Sequence, residues 1–484
     1  MLGKQDVKKD FFDSYVEQQL LPKEHELLDI DAKVDFSFVE EEVADLYCSN
    51  TGRPSYPPEQ MFRILFLEYY YNLSDVEVVK QLQVNILFRR FVRLLLEDQI
   101  PDDSSLSVFR SRLGEDRFQR LFERLIGQCQ GKGLLGDRLK LIDATHLIAD
   151  VAIPNMIKLL RDGRGRVLDR IKARHGSIAE LEEYRPTRGA PRQYGETQFA
   201  WEVEQTRELI TQVKGQYQEA EEELALLEEV VKPGSKRTVV SFVDPDARLG
   251  HKAQRFTFTG YKAHVVEDST SELVTSVDVV AGNVYEANAE HLGRLLEQEK
   301  QQGIRHSGMA ADGLYDDRET YRLANEHGMT AYVRSRTKKR RAKDFDYDVA
   351  TDQLVCVRGQ RTMGKSNHKK GELYYFETKM CRRCEQAVCH RDKKGRVRVY
   401  VSAGEKMRRA IPKAALKEAM EQRKKVERKF GEAKRHHQLG RTRYRRRWRV
   451  AIQVLMTFFV INTKRMVKLL DRQRRSLCPK FSPG

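Results

Sequence analysis

Twelve residues, RKKVERKFGEAK at 423–434, set a carboxylate among cations on a stretch of helical periodicity. At about 3.6 residues per turn, Arg423 lies one turn before Glu427 and Lys434 two turns after it, along one side. Val426, Phe430 and Ala433 form a parallel apolar stripe, so Glu427 stands at the edge of a buried face. Taken alone, Arg423 and Glu427 at i, i+4 read as a solvated ion pair. Acids brought in from elsewhere would change that reading, and two are suitably placed. DRLKLIDATHLIADV carries Asp143 inside an apolar run of strand formers, where a carboxylate is expensive to bury unless something pairs with it. GMAADGLYDD brings Asp312 to the end of a small-residue strand, with Gly313 allowing close backbone approach. For Asp143 alone, capping a turn at the strand end is the plainer role. Together, carboxylates converging on two divalent cations about 3.5–4 Å apart clamp the attacking and leaving oxygens of a phosphoryl transfer. Mg²⁺ prefers such oxygen-only ligation. Spacing alone does not select this set, because Asp150, Asp244, Asp246, Asp316, Asp317 and Glu432 are also available.

The elements that must position these acids follow from periodicity. Residues 1–132 read as helical: Pro57 and Pro58 suit a helix start before MFRILFLEYYYNL, Ser74 with Glu77 makes a capping-box pattern, and DDSSLSVFRSRL offers another polar start. Short helices with short turns fit a helix-turn-helix DNA-binding unit as well as a plain bundle. The strand at Asp143 follows. Residues 154–234 are a charged helical insertion whose Glu221, Glu222 and Glu223 read as a solvated face. Strands return over RTVVSFVDPDARLGHKAQRFTFTGYKAHVVED and ELVTSVDVVAG, then helix, the Asp312 strand, helix and strand alternate. The expectation is an α/β mixed sheet flanked by helices, assembled from 133–153, 235–337 and 412–472, with a short tail at 473–484. A second insertion, 338–411, opens with KKRRAK and is β-rich. Its Cys356, Cys381, Cys384 and Cys389 include one CxxC pair, compatible with a structural Zn²⁺ or with reduced, packed thiols.

Composition bounds the partner. The chain has 484 residues, enough for about three domains at roughly 150 residues each. Its net charge of +17, from 88 Lys and Arg against 71 Asp and Glu, points to a polyanion, nucleic acid first. Basic residues concentrate in 423–449, where RTRYRRRWR interleaves Arg with Tyr444 and Trp448, a pattern suited to phosphate contact and stacking. Arg443, Arg445, Arg446 and Arg447 are its candidate DNA contacts. The polar start MLGKQDVKKD shows no signal-peptide pattern, and the apolar stretch at 450–462 falls short of the roughly 20 residues a spanning helix needs. A cytoplasmic, nucleoid-associated protein with no membrane partner is expected.

The chain resembles the DDE transposases of bacterial insertion sequences. The stretches that carry the resemblance are GRPSYPPEQMFRILFLEYYYNLSDVEVVKQL, LIDATHLIADVAIPNMIKLL, FTGYKAHVVED, AADGLYDD and RKKVERKFGEAKRHHQLGRTRYR, in that order. The resemblance implies a ribonuclease H-like core with Asp143, Asp312 and Glu427 as catalytic, metal-binding acids for two Mg²⁺, with Mn²⁺ as a substitute. The family's Y-R-E-K signature falls on Arg423, Glu427 and Lys434, while Met420 stands where the tyrosine belongs. Arg423 and Lys434 are then expected to position DNA phosphates. The implied activity is binding of double-stranded DNA at terminal inverted repeats, end cleavage and strand transfer into target DNA by a homodimer on paired ends. A metal-dependent nuclease without strand transfer and an inactive, domesticated DNA-binding descendant are the alternatives.

Overall fold

A computed structural model of the chain describes residues 3, 11–48, 54–186, 196–232, 239–253, 256–286, 288–334, 345–368, 371–382, 384 and 396–477. The apolar run around Asp143 forms β1 (Leu139–Ile148), a central strand of a six-stranded mixed sheet. β3 (Phe256–Asp268) runs antiparallel beside it and pairs Val265 with Asp143. On the other side β5 (Gly308–Ala311) runs parallel and pairs Ala311 with Ile142. β2 (Arg248–Ala253) and β4 (Val274–Ala281) take successive stretches of the far side of β3, and β6 (Thr330–Val333) continues in parallel from β5. Parallel neighbours require crossovers. Helices Ala289–Gln301 and Arg318–Glu326 supply them before and after β5.

The β1–β3 register depends on Gly260. Its φ is +151°, and a Cβ there would lie 2.0 Å from the Leu147 carbonyl oxygen, so only a residue without a side chain fits this approach. Two apolar layers sandwich the sheet. Ile142, Val266, Met309 and Ala311 pack against Leu292, Leu295 and Leu296 of one crossover helix. On the opposite face Leu141, Val265 and Val277 join a larger core that includes Val426, Phe430 and Ala433 of helix Lys413–His436, the helix that carries Glu427.

Helices Pro58–Tyr70, Asp75–Val84 and Asp103–Gly131 form the N-terminal part, with the Ser74–Glu77 capping box in place. They share one hydrophobic core with the sheet and with the C-terminal helix Arg447–Leu477. Phe459 of that helix stacks edge-on to Phe62 at 5.1 Å and packs near Phe36 and Phe66. The N-terminal helices are therefore part of the frame around the sheet, because their apolar faces and that of the last helix cover each other. Arg447–Leu477 holds the one window, among the described residues, long and apolar enough to cross a membrane, and 83% of that window is buried inside the protein.

Between β1 and β2, helices Met156–His175, Glu196–Val213 and Glu221–Val231 close around a core of their own. Glu221 and Glu222 are exposed there, and Glu223 is buried against Arg170. Between β6 and the Glu427 helix, a two-stranded and a three-stranded sheet pack around Phe345, Leu354, Tyr374 and Val399. Cys356 and Cys381 lean on that small core, half-buried. Cys389 and the KKRRAK run lie outside the described residues.

Candidate catalytic cleft

Asp143 and Asp312 become neighbours through strand register. Ile142 and Ala311 are paired in parallel, and the acids are the next residue on each strand. Asp312 leaves β5 and turns its carboxylate onto the following 3-10 turn, where Oδ1 accepts from Leu314 N–H at 2.8 Å. Asp143 Oδ1 accepts from Ala144 N–H at 2.9 Å. Helix Lys413–His436 packs across the sheet on its buried Val426, Phe430 and Ala433, and this seats Glu427 at the rim of the same cleft. The cleft measures about 440 Å³ and is lined by Asp143, Asp312, Glu427, Arg423 and Lys434 among others.

Arg423 ties the acids together. Its Nη1 donates to Asp143 Oδ2 at 2.9 Å and its Nη2 to Glu427 Oε1 at 2.7 Å. The two carboxylates differ in setting, with the Glu427 side chain 56% exposed and that of Asp143 13%. Burial pushes the Asp143 carboxyl up to about 7; the Arg423 guanidinium and the Ala144 N–H oppose the rise, and Asp312 and Glu286 add to it. Burial also pulls Lys434 below the ordinary lysine range, with Lys252 adding repulsion. Burial first, and then the same two lysines, hold His146 down at about 4, so its ring is neutral at physiological pH.

The donors here are carboxylate oxygens, the set that suits Mg²⁺ or Mn²⁺. The Asp143 carboxyl is raised chiefly by burial even with the Arg423 guanidinium 2.9 Å away. In the arrangement described, the guanidinium of Arg423 stands between Asp143 and Glu427. Among the described residues no three His, Cys, Asp or Glu side chains close into a ready ligand set, neither here nor at Cys356, Cys381 and Cys384.

The competing acids have other work. Asp244 is buried and accepts from Tyr261 Oη at 2.6 Å and from Arg446 N–H at 2.9 Å, while Asp246 accepts from Arg447 N–H at 2.8 Å. Both cap the start of the C-terminal helix. Asp317 caps helix Arg318–Glu326, Asp316 accepts from Tyr321 Oη at 3.1 Å, and Glu432 sits 3.8 Å from both Lys429 and Lys464. Asp150 is exposed beyond the end of β1.

The arginines singled out for DNA differ sharply in their surroundings. Arg443 is bound to Glu68, Asn72 and the Leu73 carbonyl, a half-buried staple between the C-terminal segment and the N-terminal helices. Arg446 pairs with Glu222, and Arg447 makes two bonds to Glu115 at 2.7 and 2.8 Å. These three guanidiniums are held by carboxylates of the chain itself. Arg445 is exposed and makes no ion pair among the described residues. A groove along the outer side of the Glu427 helix and the C-terminal helix is more basic: Lys424, Lys425, Arg428, Arg435, Lys464 and Lys468 line it. Within it Arg428, Arg435 and Lys468 are exposed and make no ion pair among the described residues. Met420, in the place of the signature tyrosine, lies buried at the wall of this groove.

Glu286, Lys262, Lys252 and His251 also line the cleft, and periodicity had not marked them. They come from separate strands and a turn, so no spacing links them. The hint in the sequence is a lysine, with His264 two residues on, inside the strand-forming YKAHVV stretch.

Two family models match the chain. One is described as a transposase domain (DUF772) and covers residues 15–112; the other is described as a transposase DDE domain and covers residues 229–463. No solved structure matches. The second model spans β2 to the C-terminal helix, including Asp312 and Glu427, and β1 with Asp143 is the strand on which that region is assembled. The chain belongs to the DDE transposases of insertion sequences.

Proposed function

We propose that the protein binds the terminal inverted repeats of its element, cleaves the DNA ends with divalent metal ions, and joins the freed 3′ hydroxyls to target DNA. The observation that carries this reading is the meeting of Asp143, Asp312 and Glu427 in one cleft from two parallel strands and a helix. The strand order β4-β3-β1-β5-β6 supports a ribonuclease H-like core. Asp143, Asp312 and Glu427 would hold two Mg²⁺, which supply Lewis-acid stabilisation of the phosphate and an activated water or 3′ hydroxyl.

The remaining roles fall to the chain's own cations. Arg423 holds two carboxylates at one position until the metals arrive, and once displaced it is within a side chain's reach of a phosphate in the cleft. A planar guanidinium offers that phosphate two parallel hydrogen bonds. Lys434, half-buried on the opposite side of Glu427, places a second positive charge there. Arg428, Arg435 and Lys468 extend a sequence-independent grip along the DNA backbone outside the cleft, and Arg445 adds to it. Sequence recognition is assigned to the N-terminal helices, and assembly on paired ends to a homodimer.

The test is Glu427→Gln. It should abolish Mg²⁺-dependent end cleavage and leave repeat-end binding intact; retained cleavage would refute the assignment. Joining of a precut repeat end to plasmid DNA then separates transposition from hydrolysis alone.

A further inference from the structure

Glu286 sits in the cleft with Asp143 and Asp312, yet the family signature does not include it. It belongs to the turn between β4 and helix Ala289–Gln301, and the backbone around it is pinned from three elements. Lys262 of β3 donates from Nζ to the Val284 carbonyl at 2.9 Å. Tyr285 Oη donates to the Leu314 carbonyl at 2.9 Å, fastening this turn to the one that follows Asp312. His291 Nε2 lies 2.9 Å from the Tyr285 carbonyl. The result is a carboxylate fixed in the same cleft as two others.

Such an arrangement is unfavourable without a cation. One is present: Lys262 Nζ is 3.4 Å from Glu286 Oε1, and both side chains are largely buried, at 10% and 15% exposure. That contact is longer than a good charge-assisted hydrogen bond, and it leaves repulsion from Asp312 in place. A purely structural ion pair would gain nothing from facing the other two acids. A carboxylate that shares a divalent ion with Asp312 would.

Resting on the reading that the cleft binds divalent metal, we infer that Glu286 is a fourth metal-site carboxylate, acting on the ion held beside Asp312. It reaches the cleft from the turn between β4 and helix Ala289–Gln301, fastened through Tyr285 to the Leu314 carbonyl. Glu427, by contrast, arrives on a separate helix and is engaged with Arg423.

The experiment is Mn²⁺ titration of the DNA-free, full-length protein by calorimetry, with Glu286→Gln and Asp143→Asn beside the wild type and with thermal unfolding of each in the absence of metal. Gln keeps the shape and can still accept from Lys262, so folding should be preserved. The expected result is Mn²⁺ affinity weakened roughly ten- to a hundredfold in E286Q, the range seen when a carboxylate that supports a metal site is removed, with metal-free melting unchanged or raised. Wild-type Mn²⁺ affinity in E286Q alongside a loss in D143N would overturn the role of Glu286 and leave the metal cleft standing. Wild-type affinity in both variants would overturn the metal cleft itself. Lower metal-free melting of E286Q with unchanged Mn²⁺ affinity would reduce Glu286 to a structural partner of Lys262 and overturn the inference.

Discussion

Glu267 offers a quantitative probe of how the Glu427 helix is seated. It lies on β3, fully buried, and neither carboxylate oxygen has a hydrogen-bond partner among the described residues. Burial raises it from the ordinary value of 4.5 to about 7; Lys429 and Lys425, on the Glu427 helix, oppose the rise, and Glu272 and Asp268 add to it. The folded state therefore binds a proton more tightly than the unfolded chain. Stability from this group is complete below the unfolded value and is lost as pH rises through the folded one. With 1.36 kcal/mol per unit, the cost is about 1 kcal/mol near pH 5.5 and about 3 kcal/mol near pH 8.5. Glu267→Gln removes this slope. The amide carries its own desolvation cost, but that cost does not vary with pH, so the change across the range is the informative quantity. Asp143 and Glu68 also titrate here, at about 7 and about 8, and their contributions cancel between the two proteins. Thermal unfolding at the two pH values should show the wild type losing about 2 kcal/mol more than the variant, roughly 4–8 °C for a core of this size. Parallel curves would mean that Lys429 neutralises Glu267 fully, and the argument from unpartnered burial would fail.

Other consequences are testable by simpler means. Arg423→Lys leaves one charge that cannot offer a phosphate the two parallel hydrogen bonds of a guanidinium; end cleavage should fall ten- to a hundredfold, the worth of one charge-assisted hydrogen bond at about 1.5–3 kcal/mol, and wild-type rates would refute the role of Arg423 at the phosphate. Gly260→Ala puts a methyl 2.0 Å from the Leu147 carbonyl oxygen. It should cost about 2–4 kcal/mol through the β1–β3 register, read as a lowered melting temperature, and melting like the wild type would show that the strands shift easily. Arg428→Ala with Arg435→Ala should flatten the plot of log affinity for duplex DNA against log salt by about 2, at roughly 0.9 per phosphate contact. An unchanged slope would place the DNA elsewhere. The same pair of substitutions at Arg443 and Arg447 should mainly lower stability, since those side chains bind Glu68 and Glu115.

Local order in the chain determined a great deal. Apolar periodicity with Asp143 inside it dictated a strand, small residues before Asp312 dictated another, and the stripe of Val426, Phe430 and Ala433 dictated which face of the Glu427 helix is buried. Prolines and the Ser74–Glu77 box marked helix starts for the same reason: backbone preference and capping act over three or four residues. The match to transposase families followed the motifs built on these elements. Only the tertiary structure decided which charges meet. Arg423 reaches Asp143 across 280 positions, Arg443 and Arg447 turn inward onto Glu68 and Glu115, and Glu286 enters the cleft from a turn. The N-terminal helices join the core of the last helix instead of standing apart. Within one element, spacing fixes direction through the geometry of the backbone. Between elements, partners are set by packing and desolvation of the whole fold, which no local pattern encodes.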